Sequence, residues 1–157
     1  MKTLIMYFTR TNTTKILAEA IAKKTGAEIE VIKDKRNWSG VIGFIGGGRA
    51  AMKKELSDIE ELQSRIEKYD LLILGMPVWA GTMPPAIRTF VTSNKEKIKK
   101  IAFFTTQGGA QKQRIFSDLK ELSGLEPVAE LFCTTKSIRA NNYEAGLNDF
   151  VVKINAA

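Results

Sequence analysis

Phe8-Thr9-Arg10-Thr11-Asn12-Thr13-Thr14-Lys15 is the stretch on which the fold turns. An apolar run, Leu4-Ile5-Met6-Tyr7-Phe8, leads into it and reads as a buried strand. Ile16, Leu17, Ala20 and Ile21 follow at helical spacing. A strand, a hydroxyl-rich turn and a helix start therefore fall within about a dozen residues. A helix start exposes unpaired backbone N–H groups and the positive end of the helix dipole, both suited to an anion. The hydroxyls of Thr9, Thr11, Thr13 and Thr14 add donors for phosphate oxygens, and Arg10 and Lys15 add positive charge. The stretch reads as a phosphate-binding turn. Taken alone it equally fits a threonine N-cap on an ordinary strand-to-helix loop.

The chain outside this turn bounds the answer. Its 157 residues suit one domain, 1–157, with a sizeable core. No apolar run approaches the ~20 residues of a membrane span. Met1-Lys2-Thr3 enters the first strand at once, without the pattern of a secretory signal. A lone Cys133 excludes an internal disulfide framework and fits a reducing compartment, so the expected location is the cytoplasm. With no histidine and one cysteine, neither a zinc site nor a histidine-based triad is expected. The formal charge is +7, with lysines concentrated around 33–35, 53–54 and 95–100. Such a surface suits an acidic partner or is simply solvated; no helix-turn-helix, zinc-finger or aromatic RNA-binding pattern points to nucleic acid.

In chain order, the first helix is expected to run to about Lys24, with Gly26 as its stop. Ala27 to Lys33 reads as the second strand. Asp34 to Lys54 then shows no clear period through its first half, and reads as a long loop that turns helical from Gly48 onward. Its apolar members, Trp38, Val41, Ile42, Phe44 and Ile45, argue against a solvated linker and call for a cofactor, the domain or a second subunit to cover. Leu56, Ile59, Leu62 and Ile66 recur at helical spacing and predict an amphipathic helix, or two short ones. Asp70-Leu71-Leu72-Ile73-Leu74-Gly75 is a continuous apolar strand, as expected where both faces are covered. It ends in the loop Met76-Pro77-Val78-Trp79-Ala80-Gly81-Thr82, after which Pro84-Pro85 opens a helix burying Ile87, Phe90 and Val91. The fourth strand, Lys99 to Thr105, ends in a small-residue loop, Thr106-Gln107-Gly108-Gly109-Ala110. A helix burying Ile115, Phe116, Leu119 and Leu122 follows, then a strand from Val128 to Cys133 and a last helix from Tyr143 to Ile154.

This alternation calls for a three-layer α/β sandwich around a five-stranded parallel sheet. The unusual loops follow strands 1, 3 and 4. In the doubly wound order 2-1-3-4-5 those strands are adjacent and the switch point lies between 1 and 3, where such folds bind ligands. The three loops then converge on one crevice.

At this point the sequence resembles the short-chain flavodoxin family over nearly its whole length. Tyr7 to Thr14 is similar to that family's aromatic-Ser-x-Thr-Gly-Asn-Thr turn, and Gly75 to Phe90 looks like the second flavin loop of one branch. The resemblance implies FMN. Thr9, Arg10, Thr11, Asn12, Thr13 and Thr14 would hold its phosphate. Pro77, Val78, Trp79, Ala80, Gly81 and Thr82 would border the ring, with Trp79 packed on one flavin face or, alternatively, a core or interface residue. Thr106, Gln107, Gly108 and Gly109 would meet the pyrimidine end. Asn12 replaces the family's turn glycine, and asparagine tolerates the same left-handed backbone. Thr13 replaces the family's asparagine. The third loop lacks the tyrosine that many flavodoxins stack on the outer flavin face, leaving that face open or covered by Trp38 or Phe44.

The function implied is an electron carrier shuttling electrons between redox partners through the flavin. An acidic ferredoxin or other iron–sulfur protein would suit the basic surface, and the apolar long loop leaves room for a homodimer. Residues 9–15, 76–82 and 105–110 carry no acid, so a less negative second-electron potential is expected than for acidic flavodoxins. The open third loop equally suits an FMN-dependent NAD(P)H or quinone oxidoreductase, or a flavodoxin-like protoporphyrinogen oxidase. A third reading is the same fold without flavin, as an interaction module.

Overall fold

Strand–helix alternation along the chain produces five parallel strands in the order β2-β1-β3-β4-β5, as the sequence predicts. The computed structural model describes residues 1–109 and 114–157. The strands are β1 (Thr3–Tyr7), β2 (Glu28–Val31), β3 (Leu71–Pro77), β4 (Ile101–Gln107) and β5 (Pro127–Thr134). The helices are α1 (Thr13–Thr25), α2 (Gly40–Met52), α3 (Pro85–Asn94), α4 (Ile115–Ser123), α5 (Thr135–Arg139) and α6 (Glu144–Asn155).

Alternation of side chains along each strand divides the core in two. Ile5, Tyr7, Ile73 and Phe104 face one layer, where Leu17 and Ile21 of α1 and Leu147, Phe150 and Ile154 of α6 cover them. Leu4, Met6, Leu74 and Phe103 face the other, under Ile87, Phe90 and Val91 of α3 and Ile115, Phe116 and Leu119 of α4. Full burial of each such side chain stabilises the fold by about 1.5–3 kcal/mol. Gly75 sits at the crowded middle of the sheet, where a Cβ would lie 1.9 Å from the Phe104 ring. Gly26 ends α1 at φ 69, its N–H donating to the Ala22 carbonyl.

Two expectations are corrected, both between β2 and β3. The long loop is helical from Gly40, eight residues earlier than expected. Its poor glycine propensity hides it, and so does its inverted pattern, since it turns small residues inward. The amphipathic helix expected over Leu56 to Ile66 is absent. Only Ile66–Lys68 forms a 3₁₀ turn. The residues before it run back extended along the chain leaving β2: Lys35 N–H donates to the Asp58 carbonyl at 2.9 Å and Glu60 N–H to the Lys33 carbonyl at 2.9 Å. Glu30 accepts from the N–H groups of Gln63 and Ser64. Backbone pairing with a distant segment overrides a local period of three and four.

Candidate cofactor site

The threonine turn leaves β1 at Phe8, whose N–H donates to the Gly75 carbonyl of β3 at 3.0 Å. Asn12 holds the turn open at φ 63, ψ 0, the left-handed conformation that its residue type tolerates. Helix α1 begins at the next residue with no side-chain cap and no acid in its first turn. Its first N–H groups and dipole are thus presented outward, toward an anion. Thr11 and Thr13 hydroxyls lie 3.3 Å apart. The Thr9 hydroxyl oxygen is buried with no hydrogen-bond partner, so the turn carries an unmet polar group where the sequence places a phosphate.

The second loop leaves β3 and folds back as a tight turn. Trp79 and Thr82 exchange both backbone hydrogen bonds, at 2.9 and 3.0 Å, around Ala80 at φ 48 and Gly81 at φ 79. Two positive φ angles define a type I′ turn, which suits glycine at its second position. Ala80 is exposed and Gly81 half-buried, so this tip forms the loop's outward edge. Trp79 points inward and is only 9 % exposed. Phe8 and Trp38 meet its ring edge-on at 5.5 and 5.6 Å, and Gly47 of α2 lies against it. Trp38 is fixed in turn by its indole N–H donating to Asp34 Oδ2 at 2.7 Å.

The third loop closes the constellation. Val78 N–H donates to the Thr106 carbonyl at 2.9 Å, joining loops two and three. The Thr14 and Thr106 hydroxyls, both buried, lie 2.8 Å apart and join loops one and three. Gln107 turns its amide onto the Gly109 carbonyl at 2.7 Å, and Gly108 and Gly109 are exposed. Ala110, the last residue of the loop read from the sequence, lies outside the described residues. The sixteen positions singled out above fall on three segments at adjacent C-terminal strand ends, with Thr13 and Thr14 opening α1, Pro77 ending β3, and Thr106 and Gln107 ending β4.

Two supporting side chains, Asp118 and Thr135, escaped the sequence reading, and a third, Phe44, was read only as a possible cover for the flavin face. Asp118 of α4 accepts from the Thr82 hydroxyl at 2.7 Å and pins the second loop. Thr135, opening α5, donates to the Gln107 carbonyl at 3.3 Å behind the third loop. Phe44 of α2 carries the Arg10 guanidinium 5.3 Å from its ring centre, bringing α2 beside the phosphate turn. Each bridges elements far apart in the chain, and no local motif marks it. Beneath the turn, burial first and Glu19 second push the Tyr7 phenol above its ordinary range and keep it neutral. Behind the second loop, burial lowers the pKa of Arg88 and the Asp118 carboxylate opposes that fall. Among the described residues no three His, Cys, Asp or Glu side chains gather as a metal would need.

Known proteins agree with this architecture. The flavodoxin family profile matches residues 2–125, and the chain belongs to that family. Among solved structures it is similar to a flavoprotein of Lactobacillus acidophilus in complex with FMN, at 22 % identity over 91 % of this chain and 98 % of that one, with a TM-score of 0.73. It is also similar to oxidised flavodoxin 1 of Bacillus cereus, at 19 % identity over 100 % and 99 % of the two chains, TM-score 0.61. A Trp repressor binding protein of Bacillus subtilis aligns at 14 % identity over 94 % and 96 %, TM-score 0.60. At these identities the likeness is one of fold. A comparison with curated proteins finds no match. No helix among the described residues is long and apolar enough to cross a membrane.

Proposed function

We propose that this protein binds FMN at the three loops and works as an electron carrier between redox proteins. The observation that carries the reading is the joining of all three loops at Thr106, by the Thr14 hydroxyl at 2.8 Å and by Val78 N–H at 2.9 Å. The partnerless Thr9 hydroxyl and the uncapped, acid-free start of α1 fit a phosphate. The FMN complex of the Lactobacillus acidophilus flavoprotein supports the same cofactor.

Thr11, Thr13 and Thr14 hydroxyls and the first N–H groups of α1 would hold the phosphate, with Arg10 and Lys15 nearby. The Val78 to Thr82 backbone and the exposed Gly108 and Gly109 would border the ring. Bound FMN supplies reversible electron transfer, while the protein sets its position and electrostatics. None of the described loop residues is a carboxylate, so added negative charge at the ring is opposed less than in an acidic flavodoxin. The expected second-electron potential is correspondingly less negative.

A titration of purified protein with FMN, followed by absorption during stepwise reduction, tests the reading. Uptake of FMN and reversible bleaching support it. A protein that stays colourless after FMN addition overturns it.

A second reading, an FMN-dependent oxidoreductase using NAD(P)H and quinones, draws on a hollow of about 410 Å³ beside the second loop. It is lined by Phe44, Ile45, Met52, Val78 and Trp79, with Arg49 at its side. Rapid direct bleaching on stopped-flow mixing with NADPH favours the enzyme. No bleaching favours the carrier.

A further inference from the structure

Helix α2 is built inside out. Gly43, Gly47, Ala50 and Ala51 are its buried residues, and a Cβ on Gly47 would meet the Trp79 ring at 2.7 Å. Its large apolar side chains point away from the protein. Val41 is 75 % exposed, Ile42 89 %, Phe44 63 %, Ile45 64 % and Met52 64 %. Their spacing keeps them on one side of the helix as a ridge, with Gly48 and Arg49 between Ile45 and Met52. Large apolar side chains exposed together on one side of a helix point to an interaction surface.

The ridge has a cationic border. Arg49 lines the hollow beside it and Lys53 caps the C-terminal end of α2. Arg36 is paired with Glu55. Arg10 lies over the Phe44 ring. Beside the ridge lies the apolar hollow of about 410 Å³, which reaches from Phe44, Ile45 and Met52 to Val78, Trp79 and Ala80 of the second loop.

We propose that the α2 ridge is the docking face for an acidic redox protein that seats an apolar side chain in the adjoining hollow. The inference rests on the electron-carrier reading and names the partner's chemistry and the surface it uses. Charge decides against a second copy, because a symmetric contact through this face would set the same cations against one another. Shape decides against a lipid surface. A fluid bilayer needs only the convex ridge, whereas a concave apolar hole beside it accepts the buried anchor typical of protein interfaces. Position fits electron transfer, since the hollow ends on the loop that would border the flavin. An acidic rim on the partner pairs with Arg10, Arg49 and Lys53 and accelerates encounter at low salt.

Ile42 and Val41 lie in the first turn of α2 and outside the loops that would hold FMN. Aspartate there suits the positive helix end, so Ile42→Asp and Val41→Asp leave the helix formed. The FMN-loaded protein is mixed in stopped flow with a photoreduced acidic plant-type ferredoxin, and separately with reduced methyl viologen, which requires no docking face. The expected result is a second-order rate constant with ferredoxin that falls about tenfold in Ile42→Asp, and in wild type falls with added salt. FMN affinity and the viologen rate stay unchanged. Ferredoxin rates that ignore both substitutions overturn the proposal, as does a wild type that takes up FMN but is not reduced by ferredoxin. Sedimentation with phosphatidylserine vesicles that Ile42→Asp abolishes overturns it in favour of a lipid surface. A dimer in sedimentation velocity that the same substitution dissolves overturns it in favour of a second copy. A wild type that takes up no FMN sinks the electron-carrier reading itself and is separable from all of these.

Discussion

Helices α1 and α2 are each thirteen residues long, and they are built on opposite plans. α1 buries Leu17, Ala18 and Ile21 against the sheet, with Glu19 and Lys15 pairing in solvent. α2 buries glycine and alanine and leaves its branched and aromatic side chains outside. The first helix is held by hydrophobic burial. The second is held by close approach, Gly43 lying against the Trp38 backbone and Gly47 against the Trp79 ring. A helix of the first kind completes the core. One of the second kind completes a surface, leaving its apolar side exposed.

The largest expected effect separates the two plans directly. Leu17→Ala empties a fully buried site and should cost about 3 kcal/mol, whereas Ile42→Ala should stay within about 0.5 kcal/mol, both read by urea denaturation. Equal losses would mean that α2 packs its outer face after all. Next come two glycines of α2. Gly47→Ala drives a Cβ to 2.7 Å from the buried Trp79 ring and should cost about 2 kcal/mol with a change in tryptophan fluorescence. Gly48→Ala meets nothing within 4 Å and should gain about 0.5–1 kcal/mol from helix propensity. If the two behave alike, close packing on Trp79 is not what holds α2.

At the start of α1, Thr14→Ala removes the buried contact with Thr106. It should weaken FMN about tenfold, measured by fluorescence titration, and lower stability by about 1 kcal/mol without loss of the fold. Unchanged affinity would leave that helix start without its cofactor role. The smallest effect concerns the core under α1 and α6. Burial pushes the Cys133 thiol up to about 11. The native protein should therefore resist iodoacetamide at pH 8 and react once unfolded. Because the folded pKa lies above the unfolded one, the associated stability is complete below pH about 9 and is lost as pH rises toward 11.

Much of the candidate site was legible because it is local. The threonine turn, the Val78 to Thr82 loop and the Thr106 to Gly109 loop are each contiguous, and the alternation of strands and helices places them side by side. Asn12 was readable as a left-handed residue because it stands where the resembling turn carries glycine and asparagine tolerates that backbone. Asp118 and Thr135 were not, since an acid on a helix and a threonine after a strand are ordinary until the fold sets them against Thr82 and Gln107. Trp79 was read as packed on a flavin face or, alternatively, as a core or interface residue. Its inward direction follows from Phe8, Trp38 and Gly47, which reach it from separate parts of the chain.

From β1 to α1, and again from β3 through β5 and in α6, apolar period and turn chemistry were sufficient, because each element there buries the face that its own pattern advertises; the short α5 was not read from the sequence. Between β2 and β3 they were not. The spacing of Leu56, Ile59, Leu62 and Ile66 favoured a helix, yet the residues before Ile66 run extended because Lys33, Lys35 and Glu30 take their backbone partners across the fold. The glycines of α2 disfavoured a helix, yet one forms because Trp38 and Trp79 offer a surface only small residues can approach. The amino-acid sequence by itself determined the parallel α/β order and the three loops that meet at the switch point. Only the tertiary structure decided that the apolar side of α2 faces outward, because which side of a helix is buried depends on what the rest of the chain places beneath it.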